Sequence, residues 1–207
     1  MVVIGVDPGI SGALCVLTDS GVSRSWKTPF ILVKDRYARP VLDLVSFTSI
    51  LDFIEDLGNP DLVMVEASQI RMKTNSRKAV SGIWWYAGIL DTALRVQNWK
   101  IEYVQPKQWQ EKILHPFLKS EAAKASLPLE VVWPDGHDEW KETSIRYVQA
   151  VNPSILIPYG SAVKKPHEGA ADAFCIAQFA LNGEYHRDWI HKPTKASKIR
   201  RTKNAKV

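Results

Sequence analysis

The first thirty residues constrain the fold more than any other part of the sequence. An apolar run, Val2–Val6, leads into the turn-forming sequence Asp-Pro-Gly-Ile-Ser-Gly, and a second apolar run, Ala13–Leu17, follows at once. A further turn at Ser20-Gly21 precedes a third short segment, Val22–Trp26. Strands separated by turns this short pair with their neighbours in the antiparallel direction. We therefore predict an antiparallel three-stranded meander at the start of the chain.

Helical and strand-like segments alternate after the meander. Residues 42–57 carry apolar side chains at helical spacing, and Gly58-Asn59-Pro60 ends that helix. Leu62–Val65 is an uninterrupted apolar run, as in buried parallel strands. A second long helix, a strand at Lys100–Val104 and a helix beginning at Pro106 follow. The expected fold is α/β, with a mixed five-stranded sheet, antiparallel over its first three strands and then parallel, flanked by helices.

The faces of these helices follow from the same spacing, and three further segments complete the organisation. For the first helix, the predicted N-cap is Asp43, and the apolar face comprises Leu44, Val45, Ile50, Leu51 and Ile54. For the second helix, the face comprises Val80, Trp84, Ala87, Ile89 or Leu90, and Leu94.

Residues 30–41 are mixed and basic and are interpreted as a loop. Helices are also expected around Glu139–Val151 and over residues 167–182.

The positive net charge belongs to the end of the chain. Of 27 Lys and Arg residues, seven lie in residues 192–207, which hold no acid, so residues 1–191 carry 20 basic and 22 acidic side chains. A basic block of this kind is usually a polyanion-binding or a merely solubilising tail, and both readings stay open. We divide the chain into a domain over residues 1–190 and a basic tail over residues 191–207.

Composition excludes several classes of protein. With 45% apolar and 24% charged residues, the chain is not globally disordered. Its apolar runs are far shorter than the roughly 20 residues that cross a bilayer, and the N-terminus lacks the basic and apolar regions of a secretory signal. Cys15 and Cys175 lie in apolar segments without metal-ligand spacing. We expect an intracellular, soluble protein with no membrane partner, in the cytoplasm of a bacterial or phage-infected cell, with an organelle also open.

Three carboxylates occur where burial makes an acid unfavourable. Asp7 ends the first apolar strand, Glu66 ends the strand LVMV, and Asp172 lies within the apolar face of the last helix. Buried carboxylates are normally paired, protonated or bound to metal, and ligand sites form at the carboxyl ends of strands in open α/β sheets. No lysine is evident nearby in the sequence, so a divalent cation is the predicted counter-charge.

The donor types favour magnesium, with manganese as a substitute. Asp and Glu oxygens without a His/Cys cluster are typical ligands of these ions. Glu168 precedes Asp172 by four residues and so shares its helix face, and His167 is the neighbouring alternative. Four such ligands could hold two ions about 3.5–4 Å apart, which activate water and stabilise a leaving oxygen of a phosphodiester. Taken singly, Asp7 also fits a common turn, Glu66 a loop edge or N-cap, and Asp172 a carboxylate paired with a lysine across the core. Glu168 and Asp172 together also fit an ordinary solvated helix face.

Four motifs together resemble a known family. The segments IGVDPGISGAL, LVMVEAS, VQPKQW and HEGAADAFCIA occur in the order and approximate spacing of the RuvC-type Holliday junction resolvases, which belong to the RNase H-like superfamily. The compact phage and chloroplast members are the nearest, because their last motif also has a glycine followed by Ala-Asp-Ala. The resemblance covers about residues 2–183. It implies an RNase H-like fold and a homodimer that makes paired symmetric nicks in a four-way DNA junction with magnesium.

The resemblance also implies the roles of individual residues. Asp7 matches the first-strand aspartate, Glu66 the strand-end glutamate and Asp172 the final-helix aspartate of the family. Relatives place an acid or histidine three residues before that aspartate, where this chain has Gly169. We therefore predict that Glu168 is the fourth catalytic and metal-binding residue, with His167 as the reserve.

Basic and aromatic side chains are the expected partners of DNA and of a second subunit. The family pattern Trp-Lys is Trp109-Gln110 here, so Lys107 or Lys112 is expected to supply the basic group near the scissile phosphate. The loop after Glu66 adds candidate phosphate contacts, with a solvated basic loop as the alternative. Its residues are Arg71, Lys73, Arg77 and Lys78. By the resemblance, the helix with Trp84, Trp85 and Tyr86 forms the dimer interface, while base stacking by these rings is a weaker alternative.

Other functions compete with junction resolution. A RuvC-like nuclease of broader branched-DNA selectivity, cutting flaps or forks, would use the same acids. An actin-like or sugar-kinase-like ATPase also begins with strand, Asp, glycine turn and strand, but it normally needs a duplicated fold and a second phosphate-binding motif. A nuclease-dead DNA-binding scaffold is the third class, and the presence of all the expected acids disfavours it.

Overall fold

The structure is a computed structural model that describes most of the chain. The described residues are 1–9, 11–33, 39–67, 77–126, 134, 137–156, 158–160 and 163–183. The basic tail, Arg71, Lys73 and Trp133 lie outside these ranges.

A five-stranded mixed sheet is the centre of the fold. Its strands are β1 (Val2–Asp7), β2 (Ala13–Thr18), β3 (Ser23–Lys27), β6 (Leu62–Glu66) and β7 (Ile101–Val104). They lie in the order β3-β2-β1-β6-β7. Strands β1, β2 and β3 pair antiparallel, whereas β6 pairs parallel with both β1 and β7. This order and these directions are those of the RNase H-like fold, so the predicted fold class is confirmed.

Helices cover both faces of the sheet. The helices are α1 (Leu44–Asp56), α2 (Arg77–Arg95), α3 (Pro106–Trp109), α4 (His115–Ala125), α5 (His137–Val151) and α6 (Glu168–Leu181). One core cluster joins one sheet face to α3, α5 and α6, and a second joins the other face to α1 and α2. Alternate residues of β1 divide between the clusters, with Val3 in the first and Ile4 and Val6 in the second. Because side chains alternate along a strand, every buried strand contributes to both cores.

Short irregular elements connect the helices on the sheet face that α6 covers. A π-helical turn, Gln110–Leu114, joins α3 to α4, and a 3₁₀ turn, Pro153–Ile155, follows α5. Two small antiparallel pairs complete the described structure. They are β4 (Phe30–Val33) with β5 (Arg39–Leu42) and β8 (Pro158–Gly160) with β9 (Val163–Pro166).

Two predictions about local structure are wrong. Residues 30–41 do not form only a loop, because β4 and β5 pair there as a two-stranded ribbon. Its Phe-Ile-Leu-Val and Pro-Val-Leu segments favour strands despite the basic residues around them. Leu44 and Val45 are also not on the buried face of α1, since they are 66% and 79% exposed. They occupy the first turn after the N-cap Asp43, before the helix reaches the sheet.

Cys15 and Cys175 are free thiols buried in the core between the sheet and α6. Trp140 packs against the same core, and its ring lies 5.4 Å from that of His115. Among the described residues, no helix is both long enough and apolar enough to cross a membrane.

Candidate active site

The structure places Asp7 and Glu66 at adjacent strand ends. Strands β1 and β6 are parallel neighbours in which Gly5 pairs with Met64 and Val6 with Val65. Asp7 and Glu66 are the next residues along each strand and the last of each. Because the two strands are in register, Asp7 and Glu66 emerge at the same edge of the sheet. Each lies two residues after one member of the Gly5–Met64 pair, and residues two apart along a strand share a face, so both carboxylates are on one face.

Helix α6 brings Asp172 to this edge. Burial and the negative charge of Asp7 raise the pKa of the Asp172 carboxyl. Burial and the charges of Asp7 and Asp172 raise that of Glu66. Carboxylates perturb one another in this way only when they are close together in a poorly solvated place. Three acids separated by up to 165 positions in sequence therefore meet at one edge of the sheet.

Two glycines permit this close approach of α6. A side chain at Gly5 would place its Cβ 2.0 Å from the carbonyl oxygen of Ala173 and 2.4 Å from the amide of Ala177. At Gly169 a Cβ would lie 2.5 Å from the carbonyl oxygen of Ser11 and 2.9 Å from Oδ2 of Asp7. Backbone therefore packs directly on backbone at both positions. For Gly5, this close approach is a common reason for a glycine inside a strand. A residue with a side chain therefore cannot replace Gly169 unless this backbone shifts.

The two residues considered for the fourth ligand have different surroundings. Glu168 is the first residue of α6, and its Oε2 lies 3.0 Å from Nζ of Lys141. Its charge also contributes to the raised pKa of Asp172, so it belongs to the acidic cluster. His167 is 3% exposed and caps α6, with Nδ1 accepting a hydrogen bond from the Ala170 amide. One ring nitrogen of His167 thus serves this cap and one carboxylate oxygen of Glu168 contacts Lys141, so the choice of Glu168 as the fourth ligand stays a prediction.

Lys141 is a cation at the cluster that was not predicted from the sequence. Burial lowers the pKa of Lys141, but the hydrogen bond to Glu168 and the charges of Glu168, Asp172 and Asp7 outweigh burial and raise it. One ammonium faces four carboxylates and does not neutralise them, since the pKa values of Glu66 and Asp172 stay raised. Nothing in the sequence HDEWKETS marks this lysine, because its position depends on how α5 packs on α6.

Two neutral donors also contact the acids. The indole N–H of Trp109 donates to Oε2 of Glu66 at 2.8 Å, and the Ser144 hydroxyl donates to Oδ1 of Asp172 at 2.6 Å. Trp109 was detectable in principle, because a buried indole needs an acceptor and Glu66 was a buried carboxylate without a known partner. A serine in an amphipathic helix gives no comparable signal.

The predicted basic residues are only partly covered by the structure. Lys107 lies on α3 with its side chain 81% exposed, 3.5 Å from Glu111, and Lys112 is on the π-helical turn. Both therefore lie on the segment around and after Trp109. Arg77 and Lys78 are in the first turn of α2, but their side chains, like all of Arg71 and Lys73, are outside the described part of the structure.

The donor set fits a hard divalent cation. Carboxylate oxygens are the preferred ligands of Mg²⁺ and Mn²⁺, and a cation between them would relieve the repulsion that raises their pKa values. In the described residues, no three His, Cys, Asp or Glu side chains are already arranged as a closed ligand group. The oxygen donors of the cluster thus suit the predicted metal, although the described side chains do not form a ready-made ligand group.

Solved structures of resolvases are similar to this chain. The Thermus thermophilus RuvC complex with a Holliday junction substrate has 16% identity and a TM-score of 0.47, over 88% of this chain and 97% of that one. A second T. thermophilus RuvC structure has 19% identity and a TM-score of 0.46 over the same shares. The yeast mitochondrial Holliday junction resolvase Ydc2 has 13% identity and a TM-score of 0.40, over 90% and 82%. No family model and no curated protein matches the chain.

At identities of 13–19%, these similarities concern the fold alone.

Repulsion within the cluster predicts that the metal-free protein loses stability as pH rises. The pKa is raised to about 8 for Glu66 and to about 7 for Asp172, above the unfolded values, so the folded state binds more protons between about pH 4 and 8. With partial solvent screening, we expect unfolding to cost about 2 kcal/mol more at pH 5.5 than at pH 8.5. Thermal melts in a chelator should therefore shift by about 4–8 °C.

Asp172→Asn should reduce this pH dependence and raise the pH 8.5 melting temperature, while Asp52→Asn on the exposed face of α1 should do neither. Added Mg²⁺ should also flatten the dependence in the unsubstituted protein. A melting temperature that rises with pH in chelator would contradict the proposed repulsion.

Proposed function

We propose that this protein is a metal-dependent, structure-selective DNA endonuclease that resolves Holliday junctions by paired symmetric nicks. The observation that carries the proposal is the meeting of Asp7, Glu66 and Asp172 at one edge of an RNase H-like sheet. Such a cluster of oxygen ligands suits the hydrolysis of phosphodiesters with two hard cations. The four sequence motifs that resemble RuvC-type resolvases support the choice of branched DNA as substrate.

Each acidic residue has a defined part in the proposed chemistry. Asp7, Glu66, Asp172 and Glu168 would hold Mg²⁺, or Mn²⁺ in its place. When bound, the metal supplies an activated water and charge stabilisation at the leaving oxygen. The strand ends fix Asp7 and Glu66, and the helix fixes Asp172 and Glu168, so the four groups are presented on rigid elements.

Lys141 adds a positive charge at the edge of the acidic cluster. Its ammonium, bound to Glu168, stays protonated at neutral pH because the neighbouring acids raise its pKa. In this place it would attract the phosphate backbone and offset part of the negative charge of the reacting phosphodiester. A site built only of carboxylates would otherwise repel DNA in the absence of metal.

Contacts with the rest of the junction are assigned to the predicted basic residues. Lys107 and Lys112 lie on the segment around and after Trp109, whose indole contacts Glu66. Arg71, Lys73, Arg77 and Lys78 follow Glu66 in the chain, and the basic tail adds a further polyanion-binding segment. These groups would hold phosphates and position the DNA without reading its sequence.

A homodimer is part of the proposal. A four-way junction cut symmetrically on two strands requires two active sites related by a two-fold axis. Trp85 on α2 is 53% exposed, which is unusual for a tryptophan and fits a helix covered by a second subunit. Light scattering at micromolar concentration should give twice the monomer mass, and a persistent monomer would contradict this part.

The experiment that tests the function compares branched DNA substrates. Purified full-length protein is incubated with Mg²⁺ and end-labelled four-way junction, flap, fork and linear duplex. Resolution predicts nicks at symmetric positions on two opposite strands of the junction, and much slower cutting of the other substrates. Equal cutting of flaps and forks would indicate the broader nuclease, and no cutting of any substrate with Mg²⁺ or Mn²⁺ would overturn the proposal.

A further inference from the structure

Two buried side chains from different helices each donate a hydrogen bond to one acid of the cluster. Trp109 is 1% exposed and contacts Glu66 across 43 positions of sequence. Ser144 is fully buried and contacts Asp172 across 28 positions. Neither donor is charged, so neither competes with a cation for the negative charge of the cluster.

Core packing fixes Trp109. Helix α3 begins at Pro106 directly after β7, and Trp109 is its last residue. The π-helical turn follows at once and places Ile113 and Leu114 in the same core cluster as Trp109. An indole held by this packing donates its N–H in one direction, and π-helical turns occur often at functional sites. The acceptor in that direction is Oε2 of Glu66.

The surroundings of Ser144 are equally restricted. It lies on the face of α5 that packs on α6, and its oxygen is 2.6 Å from Asp172 Oδ1 and 2.9 Å from the carbonyl oxygen of Lys141. The single hydroxyl proton serves the carboxylate better, because hydrogen bonds to charged acceptors are stronger. Its neighbour Thr143 is also buried, and its hydroxyl bonds within its own helix, to the carbonyl oxygen of Glu139 at 2.8 Å.

We infer that Trp109 and Ser144 are positioning residues that fix the orientation of the Glu66 and Asp172 carboxylates for cation binding. This inference rests on the proposed function, and it adds two residues to that site. The terminal torsion of a carboxylate side chain is soft, so a free carboxylate turns easily. A fixed donor on one oxygen removes this freedom and leaves the second oxygen for the cation. Groups that orient metal ligands in this way typically change metal affinity or activity about 10–100-fold when they are replaced.

The test measures metal binding without DNA. Mn²⁺ is titrated calorimetrically into metal-free full-length protein carrying Trp109→Phe or Ser144→Ala, each of which removes the donor and little else. We expect the dissociation constant to rise about 10-fold or more for each variant. The matched controls are Trp99→Phe, partly buried against the core on the other sheet face, and Thr143→Val, next to Ser144. Both controls should bind Mn²⁺ as the unsubstituted protein does.

Cleavage kinetics provide the second readout. Both positioning variants should lower kcat for the four-way junction about 10-fold or more while KM changes less than twofold, and higher Mn²⁺ should restore part of the rate. A purely structural role would lower the melting temperature without changing Mn²⁺ affinity. Folded variants with unchanged Mn²⁺ affinity would therefore overturn the inference.

The outcomes separate this inference from the proposed function. If Trp109→Phe does not fold, Ser144→Ala and its Thr143→Val control decide the question. If Mn²⁺ affinity falls for only one of the two variants, the positioning role holds for the carboxylate that this residue contacts. The inference is then overturned for the other carboxylate. If the unsubstituted protein binds Mn²⁺ but cuts no branched DNA, the proposed function fails and the affinity comparison still stands. If it cuts junctions and the variants bind and cut equally well, only the inference fails.

Discussion

Asp7→Asn should abolish junction cleavage while leaving the protein folded and able to bind the junction. Asp7 lies close to the other acids, since its charge contributes to the raised pKa of both Glu66 and Asp172. An amide there weakens the binding of the cation and removes several kcal/mol of charge stabilisation, so we expect the rate to fall at least about 10³-fold. Single-turnover cleavage of a labelled four-way junction in Mg²⁺ measures this loss.

The matched control is Asp52→Asn, which makes the same chemical change on the exposed face of α1. It should cleave like the unsubstituted protein. Gel-shift binding in Ca²⁺ or chelator should give similar junction affinities for Asp7→Asn and the control. If Asp7→Asn still nicks the junction at near-normal rate, the proposed active site is wrong, whatever the substrate preference.

Gly5→Ala should destabilise the fold severely, although it adds a single methyl group. The new Cβ would lie 2.0 Å from the Ala173 carbonyl oxygen and 2.4 Å from the Ala177 amide, and both neighbours are helix backbone that no rotamer change can move. Helix α6 would have to shift away from β1. We expect a loss of about 3 kcal/mol or more in unfolding free energy, which lowers the melting temperature by about 6–12 °C. Chemical denaturation and thermal melts measure both quantities.

Gly88→Ala is the matched control for this effect. Gly88 lies inside α2, and within the same subunit a Cβ there would have nothing within 4 Å, so alanine should stabilise the isolated subunit by about 0.5–1 kcal/mol. Opposite signs for the same substitution would show that contact with α6, and not glycine replacement in general, determines the result at Gly5. Equal stabilisation at both positions would show that α6 does not lie against β1.

The sheet was predictable from sequence because its signals are local. The runs Val2–Val6, Ala13–Leu17 and Leu62–Val65 are apolar along nearly their whole length, and short turns or a helical segment separate them. Short connections imply antiparallel neighbours, and a connection through a helix implies a parallel neighbour. The positions of Asp7 and Glu66 at adjacent strand ends follow from the same argument, and the observed pairing agrees with it.

Contacts that depend on helix packing were not predictable in this way. Lys141 and Ser144 contact Glu168 and Asp172 because α5 packs on α6, and no periodicity encodes which residues of two helices meet. The exposed first turn of α1 has the same cause. Helical spacing identified the apolar face of α1, but it does not show where the sheet ends. Leu44 and Val45 lie beyond the end of the sheet and are exposed.

The chain order of the acids has a consequence during synthesis. The strand that carries Asp7 leaves the ribosome before the helix that carries Glu168 and Asp172, which is the last described element. An unfinished chain that stops before residue 168 therefore exposes the glycine-lined surface of its first strand without the acids that complete the cluster. Any activity that needs all four acids therefore depends on the final helix being in place.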